Sequence, residues 1–307
     1  MSTVLITGGT GMIGSRLVEK LKEKGHSIIV LTRSGERQSQ PGIRYAQWDV
    51  EEQKIDEAAV AEADIIIHLA GANVGEKRWT AARKKAIVDS RVKSGHLLVT
   101  ALQSVRHKVK AFVSASAIGW YGSDPDIPNT LPFDESFPAV NDFLGTTCYQ
   151  WEQSISPIGE MGIRLVILRT GIVLSNEGGA FREFRRPLRF GAAPVLGSGK
   201  QIVSWIHIDD LIELYIRAVE DALFSGVYNA VAPDPVSNRI LMKTLSEASG
   251  KRFLVPVKVP EWALKVALGE MSVEVLKSTT VSSARAQEAG FKFSYPTIQS
   301  AVAQLLR

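Results

Sequence analysis

The sequence predicts an α/β fold, a doubly wound parallel sheet with a smaller C-terminal α/β lobe. Three observations predict it. Short β-branched runs alternate with helical patterns over residues 1–170. The runs are apolar throughout rather than alternating, as strands covered on both faces are. A glycine-rich turn lies between the first run and the first helix.

The elements follow in order. The first run is 4–7, Val-Leu-Ile-Thr. Over 12–24 the apolar positions 13, 17, 18 and 21 fall on one helical face, and Gly25 ends that helix. Runs at 27–32, 43–48 and 64–70 come next. The stretch 80–104 reads as a long helix, with a stripe of Ile87, Val88, Val92, Leu97, Leu98 and Leu102. Runs at 110–115 and 164–169 flank a helix over 142–154. After Thr170 the character changes. Segments 176–179 and 191–199 read as glycine-rich loops, 202–208 as a strand and 210–223 as a helix. Asp209 or Asp210 is the expected cap of that helix. A strand at 227–230, expected to return to the main sheet, and a helix at 237–250 follow. Pro256 and Pro260 introduce a helical tail.

Composition bounds the function. The chain has 307 residues, 45% hydrophobic and 22% charged, which excludes a disordered or fibrous chain. No apolar stretch approaches the ~20 residues that span a bilayer, and the start has no basic region of a secretory signal. The single cysteine, Cys148, excludes an internal disulfide and a cysteine-rich zinc site. No His/Asp/Glu spacing suggests a metal. A reducing, cytoplasmic setting is expected. The net charge is +4, from 36 basic and 32 acidic residues. The basic residues are scattered except at Arg83-Lys84-Lys85 and at Arg182, Arg185, Arg186 and Arg189. No nucleic-acid motif accompanies them. They read as solvated helix faces or as a site for a small anionic molecule. Neither nucleic acid nor membrane is an expected partner.

The motif with chemistry is Gly8-x-x-Gly11-x-x-Gly14, which follows a strand and opens a helix. Glycines permit the tight turn and a close approach of backbone to a pyrophosphate, and the helix start offers free N–H groups. Gly8, Gly11, Met12, Ile13 and Gly14 are therefore expected to hold the phosphates of a dinucleotide in a Rossmann-like domain, 1–170. Residues 171–307 would form the substrate lobe, with 252–300 as its C-terminal segment. An NAD site places an acid at the end of the second strand. Here that place reads Leu31-Thr32-Arg33-Ser34. Arg33 suits a 2′-phosphate, so NADP is favoured over NAD, although it also reads as a surface arginine. Asp49 and Val50 sit where an adenine edge is read, or Asp49 is a turn residue. Arg169 ends a parallel strand, where ligands bind in open α/β sheets.

These residues resemble the extended short-chain dehydrogenase/reductases, through the glycine motif, His68-Leu69-Ala70-Gly71-Ala72, and Ser114-Ala115-Ser116 before Tyr121-Gly122. The nearer resemblance is to the epimerase-like branch often labelled nucleoside-diphosphate-sugar epimerase. Arg78-Trp79 with Ser90-Arg91, Trp151-Glu152, Arg169-Thr170-Gly171 and Ser204-Trp205-Ile206-His207 carry it. Gly269-Glu270-Met271 and Gly290-Phe291 resemble that branch's C-terminal domain of unknown function. The resemblance implies that Leu69, Ala70 and Gly71 line the cofactor. It implies a catalytic serine, matched by Ser116, and a Tyr-x-x-x-Lys pair, which is missing. If Glu152 aligns with the acid that follows the lysine, the pair's places hold Leu144 and Cys148. If Tyr149 is the tyrosine, the fourth residue on is Gln153. Tyr121 is then the first candidate for the proton donor, or it anchors its loop. The resemblance also implies a homodimer through the helices 80–104 and 142–154. Two functions follow as expectations. One is an NADP-dependent oxidoreductase or epimerase acting on a small polar substrate, possibly a sugar nucleotide. The other is an NADP-binding sensor or scaffold without chemistry.

Overall fold

The central strands are apolar on both faces because helices cover both. A computed structural model describes residues 1–33, 39–250 and 255–307. Its first half runs β1 Thr3–Thr7, α1 Met12–Glu23, β2 Ser27–Thr32, β3 Ile43–Asp49, β4 Lys54–Ile55 and α2 Glu57–Glu62. It continues with β5 Ile65–His68, α3 Ala81–Ser104, β6 Ala111–Ala117, α4 Phe143–Ile155, α5 Pro157–Glu160 and β7 Arg164–Thr170. The second half adds α6 Gly179–Leu188, α7 Ile208–Glu220 and α8 Asn238–Ala248, with short strands between them.

Seven of these strands and Gly226–Ala230 make one eight-stranded sheet. Its order is Gly226–Ala230, β7, β6, β5, β1, β2, β3, β4, and only β4 runs antiparallel to its neighbour. The predicted doubly wound sheet is therefore present, and the 226–230 strand returns to it beside β7. Strand order reverses between β1 and β5. Such a switch point opens a crevice at the carboxyl ends of the strands.

Successive side chains of a strand point to opposite faces. Val4 and Ile6 accordingly pack with Leu17, Val18 and Leu21 of α1 and Leu211 of α7, whereas Leu5 packs with Leu97 and Leu98 of α3. A third core joins Leu174, Phe181 and Trp205 to Leu241 and Leu245 of α8 and to Ile298, Val302 and Leu305 near the C-terminus. Side chains cap the starts of α3 and α4. Thr80 accepts from the Arg83 amide at 3.1 Å, and Asp142 from the Gly145 amide at 2.7 Å.

Three expectations for the second half need correction. Segment 191–199 is not only loop, since Ala192–Leu196 forms a strand parallel to Val255–Val259. Segment 202–208 is two strands. Ile202–Val203 pairs with Val236–Ser237, and Trp205–His207 pairs with Ile172–Leu174. Ser204 divides them. Its hydroxyl donates to the Thr279 carbonyl at 2.8 Å and accepts from the Val281 amide at 2.9 Å. The cap of α7 is His207, whose Nδ1 accepts from the Asp209 amide at 3.1 Å. Asp210 is instead buried within α7, where its carboxylate accepts from the Ser294 and Tyr295 amides. No helix among the described residues is long and apolar enough to cross a membrane.

Candidate functional site

The turn between β1 and α1 can only be built from glycine at two places. Gly8 has φ +69°, and a Cβ there would stand 2.9 Å from the Leu69 carbonyl carbon. A Cβ on Gly14 would stand 2.2 Å from the Gly8 oxygen. The helix thus starts pressed against its own turn and against the loop after β5. Gly11 is the N-cap, with no side-chain cap and no acid in the first turn of α1. Among the described residues the amides of Met12, Ile13 and Gly14 have no acceptor. Free amides and the positive helix end at an exposed Gly11 form a cradle that fits a phosphate. The Met12 side chain leans on Gly178 and Gly179 at the start of α6, and Ile13 packs on the first core.

The facing loop is held by two side chains. Thr7 Oγ1 accepts from the Leu69 and Ala70 amides at 3.1 and 3.2 Å and meets His68 Nδ1 at 2.8 Å. Having accepted twice, the hydroxyl donates to Nδ1, which leaves the His68 proton on Nε2 facing Ser94 Oγ at 3.3 Å. Burial holds the His68 pKa down at about 3, so the ring is neutral. From α3, Ser90 Oγ accepts from the Ala72 amide at 2.9 Å, and Arg91 Nη1 donates to the Ala72 carbonyl at 3.1 Å. The Arg91 guanidinium lies over the exposed Gly71, 3.1 Å from where a Cβ would be.

Other expected contacts spread around this crevice. Arg33 is exposed at the end of β2 and in no ion pair among the described residues. Ser34 lies outside the described residues. Asp49 Oδ1 accepts from the Glu51 and Glu52 amides at 2.9 and 3.0 Å. That is the turn role, and it leaves Asp49 less free for an adenine edge. Val50 is half-buried against the second core.

Arg169, Ser116 and Tyr121, the expected cofactor and catalytic residues, lie together on the inner side of the site. All three are buried, at 3%, 3% and 1% exposure. They form one polar network. Arg169 meets Glu152 at 2.9 Å through both Nε and Nη2, and its guanidinium stacks 3.6 Å from the Trp120 ring centre. Ser116 Oγ donates to Glu152 Oε1 at 2.6 Å. The Tyr121 hydroxyl donates to Asn229 Oδ1 at 2.7 Å and accepts from Arg169 at 3.1 Å, while its ring stacks on Phe133. Burial pushes the Tyr121 pKa up to about 12 despite the neighbouring Arg169. The tyrosine anchors its loop and is a poor acid or base. The hydroxyl proton of Ser116 is held by a carboxylate. Cys148, in the place of the missing lysine, is buried and pushed up to about 12 by burial and by Glu152, so it stays a thiol. Among the described residues no group of side chains could hold a metal.

One residue with consequences was missed at the level of roles: Arg91 stood only in a matching pattern. A helix stripe with an arginine beside a glycine-ended strand was the available signal for it. Glu152, which the sequence reads as a capping or pairing residue, is the buried partner of Arg169.

A glycine turn, a free helix start and an open loop meeting at the switch point define a dinucleotide-binding α/β protein. The profile of the NAD dependent epimerase/dehydratase family matches residues 4–230, and the chain belongs to that family. A domain of unknown function, DUF1731, matches residues 259–305. The chain is 37% identical over 311 residues to the epimerase family protein SSP1921 of Staphylococcus saprophyticus, covering all of both chains. Among solved structures it is similar to human epimerase family protein SDR39U1 (isoform 2) with NADPH. That match has TM-score 0.86 and 28% identity and covers 99% of each chain. It is also similar to the nucleoside-diphosphate sugar epimerase of Corynebacterium glutamicum, with TM-score 0.78 and 31% identity. That match covers 99% of this chain and 58% of the other.

Proposed function

We propose that this protein binds NADPH at the switch point and uses it as an oxidoreductase or epimerase on a small polar, anionic substrate. The observation that carries the reading is the uncapped start of α1, with three free amides at an exposed glycine. The exposed Arg33 supports NADP over NAD, as does the NADPH in the human relative's structure. Exposed Arg182 and Arg186 on α6 support an anionic substrate. A single cysteine suits a reducing, cytoplasmic setting.

When bound, the dinucleotide supplies a hydride at C4 of its nicotinamide. The chain binds and orients it. The α1 amides would hold the pyrophosphate, Arg33 would hold the 2′-phosphate, and the loop Leu69–Gly71 would wall the crevice. The hydroxyls of Ser116 and Tyr121, the expected catalytic groups, are both engaged in the buried network, so a proton step through either would require that network to open. The same observation favours a second reading, in which the protein holds NADPH as a sensor or scaffold and carries out no chemistry.

Titration of the protein with NADPH and NADH, followed by nucleotide fluorescence, tests the cofactor. Arg33→Ala is expected to weaken NADPH about tenfold and NADH by less than about twofold. An equal loss of both would refute the role of Arg33. Exchange of tritium at C4 with a panel of sugar nucleotides and carbonyl compounds separates the two readings. Exchange with any of them excludes the sensor.

A further inference from the structure

Arg16 joins three segments of the chain one turn into α1. It follows Met12 by four residues and so lies on the same face of the helix. Its Nη1 donates to Glu177 Oε1 at 2.9 Å, in the loop ahead of α6. Its Nη2 donates to Asp209 Oδ1 at 2.5 Å, in the first turn of α7. The loop of Glu177 meets α1 again one turn higher. There the Met12 sulfur would stand 3.4 Å from a Cβ on Gly178, and the Met12 methyl 3.5 Å from one on Gly179. Gly179 has φ +69°, so the chain enters α6 through a left-handed bend that glycine allows.

The body of the loop 175–179 is held to the second half of the chain. Asn176 Nδ2 donates to the Leu305 carbonyl at 2.7 Å, Arg185 of α6 donates to Asn176 Oδ1, and the Glu177 amide donates to Ser175 Oγ at 3.1 Å. Arg16 and Met12 join this loop to the helix whose free amides form the cradle. A second ion pair on α1 makes the contrast. Lys24 and Glu220 meet at 3.1 Å at the far ends of α1 and α7, and serve the packing of those two helices. Arg16 goes beyond that packing, because one of its two acids lies outside both helices. The side chains of Arg16 and Glu177 are 30 and 46% exposed, so their pair adds little to global stability. It can still fix a loop, and a loop fixed before a ligand arrives costs no further ordering when the ligand binds.

We propose that Arg16 is a positioning residue. By holding Glu177 it keeps the loop 175–179 closed on Met12, so that the start of α6 and the dinucleotide turn are preorganised together. The inference rests on the dinucleotide site proposed above. Arg16 acts through Glu177 and the loop, not through a contact of its own with the dinucleotide. The planar guanidinium suits the task, since it offers separate N–H groups to two acids at once. The consequence is a reciprocal coupling. The bound dinucleotide protects the loop, and the closed loop tightens the dinucleotide.

The test compares wild type with Glu177→Gln, Arg16→Gln, the double variant and Lys24→Gln, each as the whole chain. Calorimetric titration with NADPH gives the affinity. Hydrogen exchange of peptides spanning 175–188 follows the loop with and without NADPH, and the melting temperature of the unliganded proteins controls for folding. Adding NADPH to wild type is expected to slow exchange in this segment. Glu177→Gln is expected to speed exchange in the unliganded protein and to weaken NADPH, each by about two- to fivefold. The sign of the affinity change is diagnostic. Removing an acid near an anionic ligand would tighten binding through the field alone, whereas loss of positioning weakens it. In the Arg16→Gln background, Glu177→Gln should cost nothing more, and Lys24→Gln should behave as wild type. Unchanged loop exchange overturns the proposal, as does unchanged or tighter NADPH binding by Glu177→Gln. Additive losses in the double variant, or an equal loss in Lys24→Gln, also overturn it. Wild type that binds no NADPH refutes the dinucleotide site itself, a result distinct from wild type that binds it and a Glu177→Gln loop that is unchanged.

Discussion

A carboxylate and a guanidinium, Glu152 and Arg169, decide what the neighbouring hydroxyls can do. Both are nearly inaccessible, with 8% and 4% of their side-chain surface exposed. Removing one partner leaves a buried charge unpaired. Glu152→Gln is therefore expected to lower the unfolding free energy by about 3 kcal/mol, read from urea denaturation. Replacing both, with Glu152→Leu and Arg169→Met, should cost less than the sum of the single changes. Additive losses would show that the two do not interact. His68 sets a pH dependence of its own. Its unfolded imidazole takes a proton near pH 6.5, and the folded one not until about 3. Between those values the unfolded state binds more protons, so stability falls as pH falls. The contribution is about 1.4 kcal/mol per pH unit. His68→Asn should remove that slope from urea midpoints taken at pH 7, 5.5 and 4, and an unchanged slope would contradict the assignment.

At the scale of one element, α1 shows why two glycines of one motif are not equivalent. Gly14 presses on the backbone of Gly8 and Gly9, and a Cβ would overlap the Gly8 oxygen at 2.2 Å. Gly11 faces open space, with its nearest neighbour at 3.4 Å. Gly14→Ala is expected to lower the melting temperature by several degrees, roughly a 2 kcal/mol strain. Gly11→Ala should melt as wild type and yet bind NADPH more weakly, because its methyl stands between the free amides and the phosphate. The reverse pattern would show that the cradle lies elsewhere. The helix α7 makes the complementary point. Two acids in its first turn read as caps in the chain, but Asp210 turns inward to hold the amides of Ser294 and Tyr295. A residue 84 positions away in sequence outcompeted a local cap.

For the whole molecule, the C-terminal segment is part of the fold and not an appendage. Asp124 accepts from Ser278 Oγ and from the Thr280 amide and hydroxyl at 2.7–2.8 Å. Ile298, Val302 and Leu305 complete the third core. Unfolding is therefore expected as one transition, with tryptophan fluorescence and far-ultraviolet circular dichroism coinciding. A chain ending at residue 258 should expose that core and fail to melt cooperatively. A truncated chain with a native-like transition would show that the two parts fold separately.

The sheet and the cofactor end of the crevice were legible in the chain, since both rest on local rules. Apolar runs of strand length, a helical stripe ended by Gly25 and a glycine turn between strand and helix each specify themselves over a few residues. Ala192–Leu196 was not legible, because its partner strand begins at Val255. The roles of Ser116, Tyr121 and Arg169 were not legible either. Position at the end of a strand placed them in the crevice, but the partners that bury them, Glu152, Asn229 and Phe133, come from three other segments. By itself the sequence determined the fold class and the phosphate-facing turn, which short-range sterics and free helix amides dictate. Only the tertiary structure decided which polar groups stay available. Burial and pairing are long-range properties, and they tie Ser116, Tyr121 and Arg169 to partners from other segments.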